Sequence, residues 1–131
     1  MTRRGGPPGA DRQKTGRYWE DAASRYLARQ GIETLLRGYR CRLGELDLVC
    51  AEAEGLVVVE VRARSASTYA GALGSIDSRK RRKIVLATRH LLMRHPGWYH
   101  RPLRFDVVAF DRIDSEQPEL RWIRNAFDAN G

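Results

Sequence analysis

Apolar positions change their period several times along the chain, and each change marks an element. From Thr15 or Gly16 the residues Tyr18, Trp19, Ala22, Ala23, Tyr26 and Leu27 recur at helical spacing, and Gly31 supplies a stop. Residues 33–42, 45–51 and 56–64 then read as three extended runs, divided by a turn at Leu43-Gly44 and another across 52–55, which predicts an antiparallel meander. A stretch rich in Ser, Ala and Gly, 65–75, has Tyr69 as its one aromatic residue and reads as a loop. Helical period returns over 76–94, where Ile76, Ile84, Ala87 and Leu91 fall in a stripe about 80° wide and neither Gly nor Pro intervenes. The run RFDVVAFDRI, apolar on both faces, suits an inner strand, and a short strand over 120–123 follows. The predicted order is α-β-β-β-α-β-β, an α/β fold without internal repeats.

The second half of the later helix, 84–93, is apolar on more than one face. Either a C-terminal segment or a second copy of the chain, in a homodimer, is expected to cover what the sheet does not. Residues 1–14 are mostly Gly, Pro, Arg and Lys and bury too little to offset their ordering entropy, so they read as a basic tail before one domain over 15–127, with 128–131 as a short closing tail.

Charge narrows the choice of partner. Lys and Arg number 24 against 16 Asp and Glu, for a formal net charge of +8, which favours polyanions. No run approaches the roughly 20 apolar residues of a membrane span, and the N-terminus lacks the apolar core of a signal peptide, so no membrane partner and a cytoplasmic location are expected. Cys41 and Cys50 sit in no CxxC pair or zinc-finger spacing and read as free thiols. His90, His95 and His100 recur at intervals of five, which does not stack them on one helical face as metal ligation needs.

The chemistry concentrates in GELDLV and VVVEVRAR. Strand alternation puts Glu45, Asp47 and Val49 on one face with Leu46, Leu48 and Cys50 on the other, and on the next strand groups Val58, Glu60, Arg62 and Arg64. A hairpin centred on Ala53-Glu54 sets Asp47 opposite Glu60. Facing carboxylates at about 5 Å repel unless a cation joins them, and oxygen donors suit a hard ion such as Mg²⁺, or Mn²⁺, able to activate water against a phosphodiester. A solvated surface ion network is the plain alternative. Arg62 adds positive charge where a pentavalent phosphate would develop negative charge. Glu20 borders the apolar face of the first helix, and Lys80 falls within the inward stripe of the second, from where both could reach the same place. The segment SRKRRK supplies Arg79, Lys80, Arg81, Arg82 and Lys83 without an acid, a phosphate-backbone grip without sequence readout.

These residues resemble the YraN family of small bacterial proteins, which is similar to Holliday-junction resolvases and to the PD-(D/E)XK nucleases. The matching segments are Gly16-Arg17-Tyr18-Trp19-Glu20, Gly44-Glu45-Leu46-Asp47-Leu48, Val59-Glu60-Val61-Arg62-Ala63-Arg64, Asp77 with Lys80-Arg81-Arg82, Arg104-Phe105-Asp106-Val107 and Asn125-Ala126-Phe127. The resemblance implies a restriction-endonuclease-like three-layer core, its mixed sheet flanked by helices. It implies Mg²⁺ held by Asp47, Glu60 and the Val61 carbonyl, with Glu20 as the helix acid. One position departs: the lysine expected two residues after the glutamate is Arg62, which stays protonated and cannot serve as a general base. The expectation is a Mg²⁺-dependent nuclease for DNA rather than RNA, structured or branched DNA included, with Arg62 or Lys80 stabilising the transition state and Arg64 with the Arg79 to Lys83 cluster on the phosphates. Its alternative is a nucleic-acid-binding module that kept the fold and cuts weakly or not at all.

Overall fold

The structure, a computed structural model, describes residues 12–65 and 74–129, with side chains from residue 16 onward. The expected tail, apart from its last three residues, and most of the 65–75 loop lie outside these. Helix α1 (Arg12–Arg29) starts earlier than the apolar pattern predicts, because Arg12, Gln13 and Lys14 are good helix formers that carry no apolar signal. It ends where expected: Gly31 has φ +87°, and Ile32 N–H donates to Leu27 O at 2.9 Å while Gly31 N–H donates to Ala28 O at 3.1 Å. That is a Schellman closure, with Leu27 and Ile32 buried together beneath it.

Strands β1 (Glu33–Cys41), β2 (Gly44–Glu52) and β3 (Gly55–Arg64) form the antiparallel meander. Helix α2 (Ser78–Arg94) then crosses over to β4 (Leu103–Asp111), which pairs parallel to β3, and β5 (Glu119–Phe127) closes the sheet antiparallel to β4. The sheet is mixed, five-stranded and ordered β1-β2-β3-β4-β5. Helix α2 begins at Ser78 rather than 76 because the Asp77 side chain accepts the Lys80 N–H at 2.9 Å and caps it. Ile76 is nevertheless in the core, ahead of the helix.

The helices lie on opposite faces. On one, Ile84, Ala87 and Leu91 of α2 pack on Val58, Phe105, Val107 and Ala109; on the other, Trp19, Ala23 and Leu27 of α1 pack on Val57, Val59, Val108 and Phe110. The sheet is therefore buried on both sides, as the two-faced apolar pattern of β4 requires. Strand β5 is longer than the predicted 120–123, because pairing extends through a polar stretch held from the neighbouring strand: the wholly buried Asp106 carboxylate accepts Asn125 N–H at 2.8 Å and Trp122 Nε1–H at 3.0 Å.

Of the second apolar face of α2, Val85 is buried, Leu86 lines a hollow with Ala129 of the C-terminal segment, and Met93 stays 75% exposed. Both cysteines are free. The Tyr39 hydroxyl hydrogen-bonds His90 Nδ1, and His95 stacks on Trp98. No helix of the described residues is long and apolar enough to cross a membrane.

Candidate functional site

The β2–β3 hairpin turns at Ala53, whose φ is +53°, and pairs Leu48 with Val59 in the predicted register. There the regular ladder stops, and Asp47 Oδ2 instead accepts the Val61 N–H at 2.9 Å. The predicted alternation of β2 also breaks at this point. Leu46 packs with Val49 beneath α2, whereas Leu48 and Cys50 pack beneath α1. On β1, Gly38 takes φ +65° between the pairs Arg37 with Leu48 and Tyr39 with Leu46. A glycine's left-handed backbone and a step in both strands swap the faces, a signal that strict period-2 counting does not carry.

The parting strands open a cleft of about 440 Å³ that Asp47, Glu60, Val61, Arg62 and Arg64 line from the sheet, Trp19 and Glu20 from α1, and Lys80 from α2. In a strand, the N–H and C=O of one residue point to the same side, so the Val61 carbonyl faces the gap that Asp47 closes. Glu60 is 3% exposed, and its Oε2 has no hydrogen-bond partner.

Burial pushes the Glu60 carboxyl well above the usual range, and the Asp47 charge adds to the rise, against Lys80 and Arg62. Asp47 is raised by burial too, opposed first by the hydrogen bond from Val61 and also by Arg62 and Lys80. Burial, then the nearby Asp47 charge, lifts Glu20 to about 7. Three carboxyls thus share a site where the ionised form is disfavoured and the cations offset it only in part.

A divalent cation fits this donor set. Such an ion would give the orphaned Glu60 oxygen a partner and offset the repulsion from Asp47, and all-oxygen donors suit Mg²⁺ or Mn²⁺. Among the described residues no group of three or more His, Cys, Asp or Glu gathers at ligating spacing. Two carboxylates alone would suit only an ion that keeps several of its waters, as Mg²⁺ does.

The remaining predicted residues divide. Arg62 donates to Ser75 O at 3.2 Å, tying β3 to the chain entering α2, and Arg64 donates to Ala63 O at 3.1 Å. The Lys80 ammonium makes no hydrogen bond or ion pair among the described residues, its backbone N–H being taken by the Asp77 cap, and it shares a shallow groove with Arg79 and Lys83 beside the cleft. Arg81 and Arg82 line a separate hollow; Arg81 Nε donates to Ile76 O at 3.0 Å and its guanidinium lies over the Phe127 ring.

Two contributors escaped sequence reasoning. Trp19 registers as core spacing and as part of a family segment but with no role in the site, yet it also walls the cleft, with a buried indole N–H lacking a partner. Gly44 registers as a turn and as part of a family segment; a Cβ there would stand 2.9 Å from the Lys83 carbonyl oxygen, so its hydrogen lets α2 approach β2 and sets the height of Lys80.

Fold and site together define a small three-layer α/β domain with a carboxylate-lined cleft where its sheet divides. The chain belongs to the uncharacterised protein family UPF0102, whose model matches residues 19–110, in keeping with the YraN resemblance. It is 46% identical over 121 residues to a UPF0102 protein of Pseudomonas paraeruginosa, covering 92% of this chain and 97% of that one. It is 47% identical over 115 residues to a UPF0102 protein of Pseudomonas aeruginosa, covering 87% and 92%. To one of Alcanivorax borkumensis it is 44% identical over 117 residues, covering 88% and 93%.

Proposed function

We propose that the protein is a Mg²⁺-dependent nuclease that hydrolyses phosphodiester bonds of DNA, on a restriction-endonuclease-like core similar to that of Holliday-junction resolvases. The observation that carries this is the pairing of Asp47 with the buried, half-satisfied Glu60 at the point where β2 and β3 part. Asp47, Glu60 and the Val61 carbonyl would hold the ion, which when bound would supply Lewis-acid activation of water and charge neutralisation at the phosphate. Glu20, beside Asp47 on the α1 wall, would accept a hydrogen bond from the attacking water. Lys80 and Arg62 face the two carboxylates from α2 and β3 and stabilise charge building on the phosphate oxygens. Arg64, Arg79 and Lys83 hold the flanking backbone. The location that matches this activity is the cytoplasm.

Cleavage of a labelled panel of single strands, duplex, flaps and four-way junctions tests the proposal, with Mg²⁺ or Mn²⁺ and Asp47→Ala prepared identically. Metal-dependent cutting abolished by the substitution supports it; equal cutting by both proteins, or none by either, overturns it.

Arg62 favours a second reading, a binding module with little catalysis, because a guanidinium cannot take a proton from water. Arg62→Lys separates the two. If the wild type binds without cutting and the lysine variant cuts, the site is intact apart from this residue; binding without cutting by both points to a binding protein.

A further inference from the structure

Helix α2 carries seven basic side chains and no acidic one, and five of its first six residues are basic. This opposes helix formation twice: like charges at i,i+3 and i,i+4 repel, and cations at a helix N-terminus meet the positive end of the dipole. Acidic neighbours would remedy both, and none is present within the helix.

The basic residues also separate in space. At 100° per residue Lys80, on the cleft, lies opposite Ser78, Arg82 and Arg89 on the wheel, so about 10–12 Å of helix divides them. On the far side Ser78, Arg81, Arg82 and Arg89 meet around a hollow of about 370 Å³ floored by Val85 and Leu86 and bounded by Ala129. It shares no residue with the carboxylate cleft. Arg82 and Arg89 have no hydrogen bond or ion pair among the described residues, whereas Arg81 is fixed by its bond to Ile76 O. Between cleft and hollow, Arg79 and Lys83 are exposed, and the one acid there, Asp77, is engaged in capping the helix.

We propose that this hollow is a second phosphate-binding site, which holds the backbone of a nucleic-acid strand that leaves the carboxylate cleft across the first turns of α2. The proposal rests on the reading of the protein as one that acts on nucleic acid, and it adds a requirement: the strand must extend a few nucleotides past the cleft. Asp77 caps the helix and the cleft carboxylates face Lys80, which leaves Arg82 and Arg89 to be offset by the substrate, and the apolar floor suits the sugar face between phosphates.

Binding of labelled single strands of about 4 and about 16 nucleotides, followed by anisotropy in Ca²⁺ over a series of salt concentrations, tests this with Arg82→Gln/Arg89→Gln. Both positions are exposed and glutamine is a good helix former, so unchanged circular dichroism and melting temperature are the control for folding. For the long strand the variant is expected to bind roughly tenfold more weakly at low salt, with a log–log salt slope smaller by about 1.4, the value for two lost phosphate contacts on a single strand. For the short strand the two proteins are expected to differ by less than about twofold. Equal affinity and slope for the long strand overturn the second site while leaving the cleft reading intact. Equal losses on both strands overturn it too, since the arginines then act only through general charge. No binding of either strand by the wild type overturns the second site, while the cleft reading is decided separately by the cleavage panel of duplex, flaps and junctions.

Discussion

Asp47 takes the Val61 amide at 2.9 Å with the same carboxylate that stands beside the buried Glu60. One oxygen thereby closes the β2–β3 gap, and the pair of acids is fixed where the sheet begins to divide. Holding two carboxylates so close in a buried place costs stability that a neutral pair would not.

Glu60→Gln is therefore expected to stabilise the metal-free protein, by about 1 kcal/mol. The sign follows from protons. With the folded-state value raised, the native protein holds a proton that the unfolded chain has lost, between the ordinary glutamate range and the raised value. Wild-type stability falls as pH rises across that window. Urea denaturation in EDTA across that range measures it, and the glutamine variant should show a flatter profile. Mg²⁺ should raise the wild-type midpoint and leave the variant's nearly unchanged.

Gly44→Ala should cost about 1–3 kcal/mol, because the added methyl meets the Lys83 backbone rather than a movable side chain. Chemical denaturation gives the loss. Hydrogen exchange should show the first turns of α2 losing protection, and nucleic-acid affinity should fall with them.

Asp106 is wholly buried and accepts from Arg104 Nε at 2.9 Å, Arg104 Nη2 at 3.1 Å, Trp122 and the Asn125 backbone. Asp106→Ala leaves these donors without an acceptor and is expected to cost about 3–5 kcal/mol. Faster amide exchange in β5, with β1 to β3 less affected, would locate the damage. An unchanged denaturation midpoint would remove this lock from the fold.

Burial pushes the Cys50 thiol up to about 11. At pH 8 a thiol reagent should modify Cys41, which is half-buried, well before Cys50, whose reaction should track opening of the sheet. Mass spectrometry of the partly modified protein gives the order. Equal rates would contradict the burial of Cys50.

Much of the fold is legible locally. Helical spacing from Tyr18 to Leu27 and the glycine at 31 locate the end of α1, and a turn at Ala53-Glu54 suffices to pair Leu48 with Val59. The candidate site is legible in part, since Asp47, Glu60 and Arg62, singled out from the two strand motifs, line one cleft, but strict alternation does not hold along β2. Leu46 departs from it, because the step opposite Gly38 parts it from Leu48 and Cys50 and sets it with Val49 beneath α2. Neither the early start of α1 nor the length of β5 has an apolar signature, and β5 is held by Asp106 from another strand.

By itself the sequence determined what is short-range: element order, hairpin register, the basic excess and the family's motif residues. These depend on periods, turn residues and charge counts within a few positions. The tertiary structure decided how residues distant in the chain converge. Through it Glu20, Asp47, Glu60 and Lys80 line one cleft, and the basic run of α2 is divided between two sides of a helix. Such placements follow from packing two helices on opposite faces of one sheet, a global balance of burial and close approach that no local pattern contains.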